Sequence, residues 1–242
     1  MTTLRHLRAY RFVTLDDAAA LRDAIDARAT ALDLKGTVLV AAEGINLNLA
    51  GAAPALEEFI AWLRADARFA DLQAHYSEPR VDVAALPYRR LKVKLKREII
   101  RMDRPAIRPA AGRAAALAPQ TLARWLAAGH DDAGRPLALL DTRNGFEVDA
   151  GRFAGAIDWR LARFGDFPAA LAAHRAELAR KTVVSYCTGG IRCEKAALLL
   201  REEGIEAWQL DGGILGYFEA VGAAHFEGAC FVFDQRETVA AR

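Results

Sequence analysis

From residue 137 onward, short apolar runs alternate with helical patterns, and that alternation restricts the fold more than any other feature of the chain. Leu137 to Asp141, Thr182 to Tyr186 and Ala207 to Leu210 read as buried strands. Phe167 to Arg180, Glu194 to Glu203 and Ile214 to Val221 read as the helices between and after them. Strands separated by helices pair in parallel, with helices on both faces of the sheet. Ligands of such sheets bind at the carboxyl ends of the strands, where Asp141 and Cys187 both fall.

The first part of the chain predicts a different architecture. Tyr10 to Thr14 reads as a strand, and Asp16 and Asp17 open a helix with Leu21, Ile25, Ala29 and Leu32 on one face. Thr37 to Ala42 and Leu47 to Ala50 are strands around the Glu43–Asn46 turn. Pro54 begins a second helix with Leu56, Phe59, Ile60 and Leu63 as its apolar stripe, and strands follow at Leu72 to Ser77 and Leu91 to Arg101. The order β-α-β-β-α-β is that of a ferredoxin-like, or acylphosphatase-like, α+β sandwich. Residues 1–101 are expected to form this domain, the Pro- and Ala-rich residues 102–118 a linker, and residues 119–242 an α/β domain with a C-terminal extension.

Composition permits this division. The chain has 242 residues, 53% of them hydrophobic and 26% charged, enough for two soluble cores without staples. Its net charge of +2 says nothing by itself about a partner. The three cysteines, Cys187, Cys193 and Cys230, contain no Cys-x-x-Cys pair, so neither a disulfide framework nor structural zinc is implied. His6, His75, His130, His174 and His225 are scattered, which gives no metal-ligand set, and no glycine-rich dinucleotide loop marks a cofactor. No signal-peptide core and no apolar run of about 18 residues is present, so a cytoplasmic location with reduced thiols and no membrane partner is expected.

The chemistry gathers at Cys187-Thr188-Gly189-Gly190-Ile191-Arg192, between a buried strand and a helix. The helix N-terminus supplies unpaired N–H groups and a positive dipole end. Gly189 and Gly190 allow the backbone to curl into an anion nest, and Arg192 adds a cation. Each stabilises negative charge at sulfur and so favours the thiolate. A lone cysteine after a strand is usually inert packing; here the two glycines, the arginine and the strand-loop-helix context agree on a reactive one. Tyrosine-phosphatase loops carry one more residue between Cys and Arg, which makes room for a tetrahedral phosphate. The shorter loop here suits a smaller group on sulfur.

The second half resembles a rhodanese domain. Asp141-Thr142-Arg143 is similar to that fold's Asp-x-Arg, Glu147 through Gly151 to Gly155-Ala156 to its Glu-x-x-x-Gly stretch, and Leu210-Asp211-Gly212-Gly213 to its closing Leu-x-Gly-Gly. Arg152 stands where that stretch usually has His. Five further stretches resemble one family in particular, the tRNA uridine(34) hydroxylases. They are Tyr186-Cys187-Thr188-Gly189-Gly190-Ile191-Arg192-Cys193-Glu194-Lys195-Ala196, Glu43-Gly44-Ile45-Asn46, Val93 to Ile99, Asp141 to Asn144, and Cys230-Phe231-Val232-Phe233-Asp234. Many members carry a cysteine-rich tail after the last stretch; this sequence ends at Arg242, so no role of that tail carries over.

The resemblance implies hydroxylation of C5 of the wobble uridine with molecular oxygen as co-substrate, tRNA (its anticodon region) rather than DNA as partner, and Cys187 as catalytic thiol. Thiolate addition at C6 would make C5 nucleophilic. Arg192, Arg143 beside Asp141, and the loop N–H groups would stabilise the resulting anion. Cys193 reads either as a resolving thiol for oxidised Cys187 or as a core cysteine facing the sheet, the second slightly preferred. Cys230 reads as packing.

A basic stretch completes the picture. Arg89, Arg90, Lys92, Lys94, Lys96 and Arg97 surround Leu91, Val93 and Leu95, whose alternation puts apolar side chains inward and lysines outward. Such a row can track phosphates or guard a sheet edge; with a tRNA-modifying family in view, phosphate binding is favoured. Tyr88, His75 and Tyr76 are candidates to stack on a flipped base. Two other functions compete with the hydroxylase: a thiosulfate or persulfide sulfurtransferase, and an RNA-binding module with a vestigial rhodanese domain.

Overall fold

The computed structural model describes residues 3–77, 88–233 and 238–240. It divides into two compact units, Met1–Ile99 and Ile100–Arg242.

In the first unit, β1 (Leu4–Phe12), α1 (Ala18–Ala31), β2 (Lys35–Ala41), β3 (Gly44–Ala52), α2 (Ala53–Arg64) and β4 (His75–Ser77) follow the expected order, and β5 (Leu91–Leu95) is added at the edge. The sheet runs β4-β1-β3-β2-β5. β1 and β2 are antiparallel to β3, whereas β5 lies parallel to β2. Alternation decides the faces: Leu7, Val38, Val40, Ile45, Leu47 and Leu49 point to one side and are fully buried against Ile25 and Ala29 of α1 and Leu56, Phe59 and Leu63 of α2. Each such Leu, Ile or Phe contributes roughly 1.5–3 kcal/mol by leaving water.

β5 is shorter than the Leu91–Arg101 strand expected from sequence. Leu91 and Val93 pack against the core, but Leu95, last residue of an edge strand, is 50% exposed rather than turned inward. Lys92 and Lys94 are exposed on the strand, while Lys96 and Arg97 are exposed just beyond its end and Arg89 and Arg90 just before it.

The second unit holds β6 (Ala116–Leu117), α3 (Pro119–Ala128), β7 (Leu137–Asp141), α4 (Gly145–Ala150), β8 (Gly151–Phe153), β9 (Ile157–Asp158), α5 (Phe167–His174), β10 (Thr182–Tyr186), α6 (Ile191–Glu202), β11 (Ala207–Leu210), α7 (Gly213–Ala220), β12 (Phe226–Gly228), β13 (Cys230–Phe231) and β14 (Thr238–Val239). β6-β11-β10-β7-β9 form one sheet with every pair parallel. The central strand β10 is buried along its whole length. One face is covered by α5 and α6 through Leu171, Ala196, Ala197 and Leu200, the other by α3 and α7 through Leu122, Trp125, Ile214 and Tyr217.

Residues 102–118, expected from sequence to be a linker, are tied into this second unit. Met102, Ile107 and Ala114 are buried in its core, and β6 pairs with β11. Two buried charged residues of α6 reach back to this segment: Lys195 Nζ donates to the Ile100 carbonyl at 2.9 Å, and Glu194 accepts from Arg113 at 2.8 Å. A proline- and alanine-rich composition signals a lack of helix or strand, not a lack of packing.

Candidate active site at the Cys187 loop

β7 and β10 are in register, with Asp141 beside Tyr186 at their carboxyl ends. The loop after β10 and the turn after β7 therefore stand side by side, as expected of a parallel sheet. Thr142 locks them together: its backbone N–H donates to the Tyr186 carbonyl at 3.0 Å and its hydroxyl to the same oxygen at 2.8 Å.

The Cys187 loop is pinned from outside and polarised inward. The first turn of α7 takes the loop carbonyls: Ile214 N–H donates to Cys187 O at 2.9 Å and Leu215 N–H to Thr188 O at 3.1 Å. With carbonyls turned to α7, loop N–H groups turn to sulfur, and Gly190 N–H donates to Cys187 Sγ at 3.1 Å. Gly190 does this at φ 100°, in the left-handed region that disfavours a side chain. Gly213 must also be bare, because a Cβ there would lie 2.4 Å from Cys187 O.

Cys187 is fully buried. Burial pushes its thiol up; the Cys193 thiol, the Arg192 charge and the N–H groups of Cys193 and Arg192 more than offset this and bring it down to about 5. At neutral pH the sulfur is a thiolate. The sulfur of Cys193 lies 3.9 Å away. Burial and then the negative neighbour push that second thiol well above its usual value.

Arg192 does not stand free at the sulfur. Its guanidinium makes a two-point pair with the buried carboxylate of Glu147, at 2.5 and 2.8 Å. Glu147, in the first turn of α4, also accepts the Asn144 N–H at 3.0 Å, which caps that helix. Arg143 is still more committed. It is fully buried, pairs with Asp141 through Nε at 2.9 Å and Nη2 at 2.6 Å, and donates to the carbonyls of Glu147 and Gly151. Asp141 and Arg143 thus brace the β7 turn and β8, where the sequence reading gave them an anion-stabilising role. Most of the five N–H donors of this guanidinium are spent on a carboxylate and two carbonyls.

Sequence reasoning missed an aromatic group beside the loop. Phe146, 51% exposed, and Phe233, 63% exposed, flank Phe231 in edge-to-face contacts with centroids 5.3 Å apart for Phe146–Phe231 and for Phe231–Phe233. The Arg192 guanidinium sits 6.0 Å from the Phe233 ring, and the Thr188 hydroxyl reaches the Phe231 carbonyl at 3.4 Å. The signal was in the Phe-Val-Phe run, which composition alone reads as a packed strand; Asp234, the last residue of that motif, lies outside the described residues. Two of the three sequence candidates for base stacking have other partners: Tyr88 hydrogen-bonds His6 at 2.9 Å, and Tyr76 packs on the core of the first unit. Among the described residues no group of three His, Cys, Asp or Glu side chains is placed to hold a metal ion, and no helix is long and apolar enough to cross a membrane.

Similarity to known proteins runs along both units. Residues 4–99 match the UPF0176 acylphosphatase like domain, and residues 119–220 the Rhodanese-like domain. Among curated relatives, the tRNA uridine(34) hydroxylase of Variovorax paradoxus is 61% identical over 99% of this chain and 90% of its own length. That of Bordetella pertussis is 61% identical over 98% and 96%, and that of Delftia acidovorans 58% over 100% and 90%. With both domains matched and identity sustained along nearly the whole chain, this protein belongs to the tRNA uridine(34) hydroxylase family.

Proposed function

We propose that this protein hydroxylates C5 of uridine 34 in the anticodon of tRNA, giving 5-hydroxyuridine, with molecular oxygen as co-substrate and Cys187 as the catalytic thiol. The observation that carries the reading is identity of 58–61% over nearly full length to proteins of that one name. The chemistry of the loop supports it, because a thiolate held near pKa 5 is ready to add to an electron-poor carbon at neutral pH.

Addition of Cys187 to C6 of uracil turns C5 into a nucleophile. The loop N–H groups and the Arg192 charge, which already favour the thiolate, meet the charge that develops, while Arg143 is turned to Asp141. Phe146 and Phe233 offer faces on which a flipped pyrimidine stacks, a sequence-tolerant interaction. Since Cys187 is fully buried, the base must displace what covers the loop in order to reach the sulfur. On the first unit, Lys92 and Lys94 with Arg89, Arg90, Lys96 and Arg97 supply the positive edge that tracks the tRNA backbone. A tRNA substrate supports a cytoplasmic location.

The test is nucleoside mass spectrometry of tRNA from cells lacking the gene, complemented with wild type or Cys187→Ser. Loss of 5-hydroxyuridine and its derivatives, restored by wild type alone, is the expected result. If they persist while a thiolated nucleoside falls, the protein is a sulfurtransferase.

A further inference from the structure

Sequence pattern slightly favours a core position for Cys193. In the structure it turns to the loop instead. Its thiol reaches the Gly190 carbonyl at 2.8 Å, and its sulfur is 3.9 Å from that of Cys187, which is contact distance for two sulfur atoms. Both residues are fully buried and neither is in a disulfide. Cys193 sits in the first turn of α6 and Cys187 directly after β10, and the two sulfurs have about 2 Å to close to reach bonding distance.

The hydroxylation proposed above has an unmet requirement. One oxygen atom enters the C5–H bond, and the other must leave as water, which takes two electrons and two protons. Oxidation of a dithiol to a disulfide releases that same number of each. We propose that Cys187 and Cys193 together are the electron donor of the reaction, oxidised to a disulfide once per turnover and restored by an external dithiol reductant. The inference rests on the hydroxylase reading.

The steps balance. The Cys187 thiolate adds to C6, and the carbanion at C5 adds dioxygen to give, after protonation, a C5 hydroperoxide. Cys193 attacks the distal oxygen, the O–O bond breaks, and the thiol proton passes to the oxygen left on C5. This leaves the C5 hydroxyl and a sulfenic acid on Cys193. Loss of the C5 proton expels Cys187 from C6 and restores the ring double bond. The freed Cys187 thiolate then attacks the Cys193 sulfenic acid, forming the disulfide and releasing hydroxide, which is protonated to water. The sum is uridine, dioxygen and two thiols giving 5-hydroxyuridine, water and one disulfide.

The experiment is a single round without reductant. Full-length protein is reduced, stripped of reductant, and mixed in molar excess over unmodified tRNA in aerated buffer. 5-Hydroxyuridine is counted by nucleoside mass spectrometry, and the protein by peptide mapping under acid quench. The expected result is one Cys187–Cys193 disulfide per nucleoside formed, with further rounds only after dithiothreitol is added. Cys193→Ser, its folding checked by melting and by tRNA binding, is expected to lose the reductant-free round at least tenfold. Product formed with both thiols intact, or a Cys193→Ser yield equal to wild type, overturns the proposal. If wild type makes no 5-hydroxyuridine even with dithiothreitol and oxygen, it is the hydroxylase reading itself that fails.

Discussion

Replacing Gly213 with alanine tests whether the loop is held as the site requires. Gly213 has φ +61°, and an added Cβ would lie 2.4 Å from Cys187 O, 2.8 Å from Gly190 N and 2.8 Å from Thr188 O. Ordinary contacts for such a carbon begin near 3.4 Å, so the backbone carrying Cys187 must retreat by about 1 Å. A non-glycine residue in the left-handed region costs about 1–2 kcal/mol by itself. A misplacement of about 1 Å at reacting atoms can cost on the order of 100-fold in rate. Gly129→Ala separates the two effects, because Gly129 has φ +76° with nothing within 4 Å of its would-be Cβ. The assay pairs thermal melting with the initial rate of 5-hydroxyuridine formation. Gly129→Ala is expected to lose about 1–2 kcal/mol of stability and keep its rate. Gly213→Ala is expected to lose more stability and about two orders of magnitude in rate. If the two variants melt alike and both retain wild-type rates, the argument that Gly213 is kept bare for the loop is wrong.

Other perturbations follow from the same geometry. Glu147→Gln leaves the Arg192 guanidinium buried without its counter-charge and is expected to cost about 3–5 kcal/mol, read by denaturant unfolding. The Cys187 thiol is held at about 5, below its ordinary value, so acidification through that pH protonates the sulfur. Thiolate ultraviolet absorbance and kcat/KM should fall together there, and Cys193→Ala, by removing the neighbouring thiol, should shift the thiolate transition upward. Phe233→Ala and Phe146→Ala should each lower kcat/KM for tRNA by the roughly 1–3 kcal/mol of one stacked base, with the melting temperature nearly unchanged. In Lys92→Gln with Lys94→Gln, tRNA affinity should drop and the slope of log affinity against log salt should shrink by roughly 0.7 for each phosphate that is no longer neutralised. Unchanged binding with increased self-association would instead assign the lysines to edge protection.

The main strands of the second unit were legible because each is a short, largely apolar run set between helical patterns: Leu137–Asp141, Thr182–Tyr186 and Ala207–Leu210 appear with the ends expected. The short strands β6, β8, β9, β12, β13 and β14 were not, since two or three residues carry no periodicity and their pairing is set by tertiary contact. In the first unit β1 begins at Leu4 rather than Tyr10, because Arg5, Arg8 and Arg11 break the apolar pattern. Two of these charges still find partners, Arg5 at Glu57 and Arg11 at Asp71. At the site, the loop was readable as a unit, since glycines, cysteine and arginine are close in sequence. What Arg192 actually holds was not, because Glu147 lies 45 residues away, and a pairing across that span leaves no local trace.

The place of residues 100–117 bears on how this protein can be taken apart. The rhodanese match begins at residue 119, yet the sheet's outermost parallel strand, at 116–117, comes before that point, as do Met102, Ile107 and Ala114 of the core. Excision at the recognised boundary would bare one edge of β11 and leave Lys195 and Glu194 buried without the Ile100 carbonyl and Arg113. The second unit is therefore not a freely exchangeable cassette. A recombination or truncation that respects homology but cuts at 119 is expected to yield an aggregation-prone fragment, whereas a cut near 100 carries the whole compact unit with it.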